Sequence, residues 1–292
     1  MISGPTYQPP SMKSVSIIVP TYRDEGLHEC VQSLLAQDYP GNLEILVVNN
    51  DPDHPVALPD PRVRVIEEAV PGSYAARNSG LDAATGEIVA FTDSDCIAEP
   101  DWISKAVAAI DATGADRIAG EVRLFRTRDF PSLAEMYEIS TGFNQRRNAS
   151  NGVSVTANLV ATRNVFSHVG KFDSGLLSGG DIEWNQRATR AGYSIVYAPD
   201  AIVLHPARAT VAELMRKARR IAGGRLSMKT RRELKLIRLA IPSPGLIKDI
   251  LAAKTMHPLY KPPVILLAFF LRLYAFACGF LIYIGIASPQ RS

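Results

Sequence analysis

Cysteine is scarce in this 292-residue chain: Cys30, Cys96 and Cys278 stand far apart, in neither a metal-ligand spacing nor a disulfide framework. A reducing compartment is the expectation. The first ten residues are polar and proline-rich, with no apolar stretch of signal-peptide length, so secretion is not expected. No Gly-x-Gly-x-x-Gly and no Gly-Lys-Ser/Thr loop occurs, which removes a dinucleotide fingerprint and a P-loop from consideration. Low-complexity stretches and internal repeats are also missing.

Hydrophobic content of 47% and charged content of 21% are ordinary for a folded protein. The length suffices for one large domain or two small ones. The net charge of +3 hides a division. Residues 208–292 carry 16 Lys+Arg against three acids, a net +13, which leaves −10 for residues 1–207. An acidic front and a basic rear point to two different surroundings.

Residues 15–22, 43–50 and 63–67 read as strands, the first two almost continuously apolar, as in a parallel sheet covered on both faces. Residues 25–38 carry a helix-period stripe at Leu27, Val31, Leu34 and Leu35. Helices are expected over 73–84, over 101–112 with Asp101 as an acidic cap, and over 181–192 with Gly192 as stop. Further strands are expected at 117–125, 153–163, 195–197 and 201–205, with a long polar loop between the first two. The alternation implies a parallel, doubly wound α/β sheet. Asn148-Ala149-Ser150 fits a glycosylation acceptor by chance only.

Residues 87–95, Glu-Ile-Val-Ala-Phe-Thr-Asp-Ser-Asp, carry the chemistry. They read as a buried strand ending in Asp93 and Asp95, whose alternate spacing sends both carboxylates to one side. Ligands of open α/β sheets collect beyond the strand ends. Two acids there can hold a divalent cation through oxygen ligands, and the cation can neutralise a diphosphate. Three more stretches converge on that crevice. Pro20, Thr21, Tyr22 and Glu25 follow the first strand, and Asn49 and Asn50 end the second, where amides can read a base edge or a ribose. Arg77 and Asn78 precede the carboxylate strand, with Arg77 able to reach a base or phosphate. Together with Asp93 and Ser94 these are the candidate nucleotide contacts. Asp181 opens a helix after Gly179-Gly180, and an exposed carboxylate beside a nucleotide-metal site can act as general base. Gly180 and Trp184 offer a platform for a sugar ring, and His205 is a third candidate metal ligand.

From about Ser14 to His205 the chain resembles a family 2 glycosyltransferase of the GT-A fold. The matching elements are Val19-Pro-Thr-Tyr22, Val47-Val-Asn-Asn50, Ala76-Arg-Asn78 through Gly80, Ala84-Thr-Gly86, Asp93-Ser-Asp95 and the Gly180-Asp-Ile-Glu-Trp184 region through Arg187 and Gly192-Tyr193. The resemblance implies a nucleotide-sugar donor, a Mg²⁺ or Mn²⁺ ion and inversion at the anomeric carbon. Carried over by position, Asp95 is the metal ligand, Asp93 contacts ribose or sugar, and Asp181 is the second acid of a Glu-Asp pair, the general base. Two positions depart from the pattern. Gly180 replaces the Glu of that pair, leaving Glu183 as an alternative base, and Asn49-Asn50 replaces an Asp-containing pair.

The rear differs. Residues 210–241 have an apolar stripe and a cationic face suited to an anionic membrane surface. Residues 264–287 hold one charge, Arg272, and at ~1.5 Å per residue reach about 36 Å, enough for a ~30 Å hydrocarbon layer. Their apolar side chains outweigh the ~2.5–3.5 kcal/mol cost of the arginine, which snorkelling would reduce. A spanning or re-entrant helix in a cell inner or plasma membrane is expected, with the acidic domain cytosolic by the positive-inside tendency. The organisation is a lead-in at 1–13, a GT-A domain at 14–207, a basic amphipathic segment at 208–261 and a membrane helix at 262–292. The expected acceptor is a glycan or lipid-linked sugar; nucleic acid is not an expected partner, and the oligomeric state is open. Two rivals are a nucleotidyltransferase, which would need a Gly-rich loop and Lys where Pro20–Glu25 stands, and a non-catalytic nucleotide-sugar-binding scaffold.

Overall fold

A computed structural model describes residues 12–227, 240–254 and 256–288. β1 (Val15–Thr21), β2 (Leu43–Asn49), β3 (Val63–Glu67) and β4 (Ile88–Phe91) pair in parallel. β5 (Ile97–Ala98), β6 (Arg117–Phe125), β7 (Leu159–Thr162) and β8 (Ile195–Pro206) complete one sheet in the order β3-β2-β1-β4-β7-β6-β8-β5. The sheet is mixed, not purely parallel: β7 runs antiparallel to both β4 and β6, and β5 runs antiparallel to β8.

Helices cover both faces, which explains the unbroken burial of β1 and β4. On one face, α1 (Leu27–Leu35) buries Leu27, Cys30, Val31 and Leu34, and α3 (Trp102–Thr113) buries Trp102, Ile103, Ala106, Val107 and Ile110. On the other, α2 (Ser73–Ala83), α6 (Arg163–Val169) and α7 (Gly180–Arg190) close over Phe91, Phe166, Phe172 and Trp184. Burial stabilises each such aromatic by about 1.5–3 kcal/mol.

Several expectations need correction. The strand over 87–95 stops at Phe91, and Asp93 and Asp95 lie in a turn closed by the Cys96 N–H donating to the Asp93 carbonyl at 3.1 Å. The long loop after β6 contains α4 (Leu133–Thr141), opened by a Ser132/Glu135 capping box, and α5 (Gln145–Ser150), capped by Asn144. Residues 153–163 form a 3₁₀ turn, Thr156–Asn158, before the short β7. The strands at 195–197 and 201–205 are one strand, with an irregularity opposite Gly120 and Glu121. Asn158 satisfies the carbonyls freed there, donating to Glu121 and Ala201 at 2.8 and 2.9 Å. A Cβ on Gly120 would lie 2.3 Å from that amide, so glycine is required. Asp101 precedes α3 without making a side-chain cap bond.

The basic segment begins as α8 (Val211–Ser227); residues 228–239 of the expected amphipathic helix lie outside the described residues. α9 (Pro244–Ala252) and α10 (Lys261–Tyr283) follow. α10 packs Leu267 and Leu271 against Leu214 of α8 and Ala134 of α4, and Ala275 against Ala222. Its other side exposes Leu266, Phe269, Phe270 and Leu273. The helical stretch Pro258–Tyr283 is long and apolar enough to cross a membrane. Arg272 lines a small cavity with Tyr137 and Lys217, between α10 and its neighbouring helices.

Candidate active site

The carboxyl ends of β1, β2 and β4 meet the end of β8 around the Asp93–Asp95 turn. His205 approaches from β8 with Nε2 3.6 Å from Asp95 Oδ2. Its Nδ1 lies 2.8 Å from the Pro206 carbonyl, and the tautomer that donates there keeps Nε2 available as a metal ligand. Ligand atoms of Asp93, Asp95, Cys96 and His205 all fall within 4.8 Å of one another. Burial raises the Asp95 carboxyl above its ordinary range; His205 opposes this, while Asp93 and Asp24 add to it. Burial also holds the Cys96 thiol protonated, so the hard donors are the two carboxylates and the imidazole.

Arg77 is almost fully buried and its guanidinium pairs with Asp93, with Nη1 reaching the Ser73 carbonyl. It orients Asp93 and does not reach out to a base. The same guanidinium lies over the Tyr74 ring, 5.8 Å from its centre. The Tyr74 hydroxyl accepts from the Gly180 N–H at 2.8 Å and stands 3.4 Å from Asp181 Oδ1, to which it donates. Asp181 Oδ1 also accepts from the Ile182 N–H at 2.9 Å. Burial pushes the Asp181 carboxyl up, against the Ile182 hydrogen bond and the Arg77 charge. Glu183, by contrast, is gripped by Arg187 at 2.7 and 3.1 Å.

Pro20, Thr21, Tyr22, Asn50, Gly72, Ser73, Leu176, Leu177 and Arg220 line a cavity of about 340 Å³ at the ends of β1 and β2. A second cavity of about 490 Å³ lies beside Asp95 and His205, lined by Arg208, Glu213, Arg216, Lys217 and Arg220. Glu138 of α4, fully buried, accepts from Lys217 at 2.6 Å and Arg208 at 2.7 Å. Burial pushes Glu138 up, but the two cations win and pull it down to about 2.

Residues 16–161 of the sequence match the glycosyl transferase family 2 model. The chain belongs to that family. Glycosyltransferase AglE of Haloferax volcanii is 36% identical over 225 residues, 73% of this chain and 73% of that protein. The succinoglycan biosynthesis protein ExoM of Rhizobium meliloti is 28% identical over 231 residues, 70% of this chain and 71% of that protein. Among solved structures, the mannosyltransferase PcManGT from Pyrobaculum calidifontis, in complex with GDP-Man and Mn²⁺, aligns with a TM-score of 0.59 at 17% identity. That alignment covers 94% of this chain and 90% of the other. TarS from S. aureus, in complex with UDP-GlcNAc, aligns at 0.51 and 20% identity over 94% of this chain and 76% of the other. These two structural likenesses carry the GT-A fold.

In this family 2 glycosyltransferase the structure changes several residue readings. Trp184 is no sugar platform: it is fully buried, stacked on Phe166 with ring centres 4.3 Å apart, and donates to the Gly170 carbonyl. Gly180 is buried too, because a Cβ there would stand 2.7 Å from the Tyr74 ring. Asn49 spends its amide on the Asp51 and His54 carbonyls and Glu67. Asn50 lines the cavity, yet its amide holds the 68–72 loop through Glu68, Val70 and Gly72. Asn78 is bound in both directions to the Phe172 backbone, and Ser94 donates to Asp24 at 2.7 Å. Glu25 is exposed and lines neither cavity described above. Sequence reasoning missed Tyr74, Asp24, Glu138, Arg208 and Arg220. Only the missing glutamate at position 180 hinted that another side chain fills that space.

Proposed function

We propose that this glycosyltransferase is membrane-attached, metal-dependent and inverting, and moves a sugar from a nucleotide-diphosphate donor to a lipid-linked or envelope glycan acceptor at the cytosolic face. The observation that carries the reading is the meeting of Asp93, Asp95 and His205 within 4.8 Å, next to the cavity at the ends of β1 and β2 and with Asp181 in the electrostatic field of Asp93. Asp95 and His205, with Asp93, would hold Mg²⁺ or Mn²⁺. When bound, that ion supplies Lewis-acid charge for the departing diphosphate.

The chain's own residues do the rest. The nucleoside lies in the 340 Å³ cavity, with Tyr22 exposed at its wall. Arg77 fixes Asp93 towards the ribose or sugar. Asp181 accepts the proton of the acceptor hydroxyl as that oxygen bonds to the anomeric carbon. The bond from that carbon to the diphosphate oxygen breaks on the opposite face, and its electron pair leaves with the diphosphate. A raised carboxyl suits a base working near neutral pH. Glu183 is less suited, since Arg187 occupies both its oxygens. The apolar outer side of α10 seats the domain at the bilayer.

Diphosphate release from UDP-, GDP- and dTDP-sugars, with and without Mn²⁺, tests the reading. Release from none of them would sink it. Asp181→Asn is expected to bind donor normally and lose transfer by about 10²–10⁴-fold. Normal turnover by that variant beside a dead Glu183→Gln would move the base to Glu183.

A further inference from the structure

α8 and the turn before it bring four cations towards the metal cluster, and two of them are already committed. Lys217, with Arg208 from the preceding turn, neutralises Glu138. Arg216 and Arg220, one helical turn apart and so on one face, accept no such partner: among the described residues no carboxylate or carbonyl is hydrogen-bonded to either. Arg220 is half-buried and forms a wall of both cavities, the one at the ends of β1 and β2 and the one beside Asp95 and His205. A half-buried guanidinium with five unused donors lacks the compensation such a group needs.

We propose that Arg216 and Arg220 form a clamp for the donor's diphosphate, closing over it from α8 while the Asp95–His205 side holds the metal. The inference rests on the nucleotide-sugar reading above. Arg220 lines both the cavity assigned to the nucleoside and the cavity beside Asp95, so it stands where a diphosphate joining the two would lie. The charge balance asks for it as well. A divalent ion and Arg77 together are set against the two carboxylates of Asp93 and Asp95, so without α8 a leaving diphosphate would meet only one net positive charge. Guanidinium groups suit this task because they meet phosphate oxygens two at a time. Arg220 already sits in the field of Asp93 and Asp181, at the reacting centre.

The full chain in detergent, with Mn²⁺, is titrated with inorganic pyrophosphate, with UDP, GDP and dTDP, with the matching nucleosides and with farnesyl phosphate. Arg220→Ala is expected to weaken pyrophosphate and the preferred nucleoside diphosphate by about ten- to a hundredfold, with nucleoside binding little changed. Arg220→Lys should recover part of the loss, and Arg216→Ala should cost less than Arg220→Ala because its side chain is more exposed. Thermal unfolding should stay near wild type, since neither side chain bonds to protein. Equal pyrophosphate affinity in wild type and Arg216→Ala/Arg220→Ala overturns the clamp. So does a loss confined to farnesyl phosphate, which would assign the site to an acceptor phosphate. If wild type itself binds no nucleoside diphosphate and no pyrophosphate, the nucleotide-sugar reading falls first.

Discussion

Gly180→Ala should reverse its effect on stability according to what stands at position 74. Gly180 begins α7 with an ordinary backbone conformation, so alanine there is compatible and by helix propensity gains about 0.5–1 kcal/mol. Its Cβ, however, would lie 2.7, 2.8 and 2.9 Å from three atoms of the Tyr74 ring. That ring cannot swing away cheaply: Arg77 covers it, Phe172 packs 5.9 Å from its centre, and its hydroxyl holds the Gly180 N–H. Overpacking of this kind costs about 1–3 kcal/mol, which outweighs the propensity gain. With Tyr74 present the variant should therefore be destabilised by up to about 2 kcal/mol. In a Tyr74→Ala background the clash is gone and the same change should stabilise by about 0.5–1 kcal/mol. Thermal unfolding of the four proteins in detergent closes the cycle, at about 2–4 °C per kcal/mol. Effects that add within about 0.5 kcal/mol would refute the reasoning, because independent sites behave that way. Since Tyr74 also bonds to Asp181, transfer by Gly180→Ala should fall further than its folded fraction does.

Two other predictions rest on single side chains. Glu138, held at about 2 against an ordinary 4.5, contributes stability that is complete above pH 4.5 and lost as pH falls towards 2. The contribution is at most about 3 kcal/mol, reduced because burial pushes its partner Lys217 down; Glu138→Ala should therefore flatten the acid limb of a stability-against-pH curve, and an unchanged limb would contradict the ion triad. His205→Ala should raise the Mn²⁺ needed for half-maximal diphosphate release by about tenfold or more, since losing even a group that supports a ligand costs that much. An unchanged Mn²⁺ requirement would remove His205 from the ligand set.

Much of the sheet is legible because strands buried on both faces have a local signature. β1, β2 and β4 are apolar runs bounded by polar turns, and covering helices explain why no alternation appears. α4 carried a local signal too, the Ser132-to-Glu135 capping box, hidden within a polar stretch. What the sequence leaves unwritten is which partner a polar or aromatic side chain finds. Asn78 meets the Phe172 backbone 94 residues away, so its amide looks free until the chain folds. Trp184 and Ala188 share a helix face, and that pattern fits a core stripe as well as an exposed platform; Phe166, on another helix, decides it. The antiparallel insertion of β7 is likewise a matter of topology, because a short apolar strand carries no mark of its direction.

The change of charge sign at residue 208 is no border in space. The acidic front buries Glu138 at the inner end of α4, where a lone carboxylate could not remain charged without compensation. Its compensation comes from Arg208 and Lys217 in the basic rear. α8, which carries Lys217, Arg216 and Arg220, is in turn packed on α10 through Leu214, Leu267 and Leu271 and through Ala222 and Ala275. Of the cationic face read from sequence as a lipid-facing surface, Lys217 turns to Glu138 and Arg220 to the cavities of the site, while Leu214 and Ala222 of α8 meet the long apolar helix. The helix that would seat this enzyme at a bilayer and the cations beside its carboxylate cluster are one packed unit, so the position of α10 sets the position of Arg220.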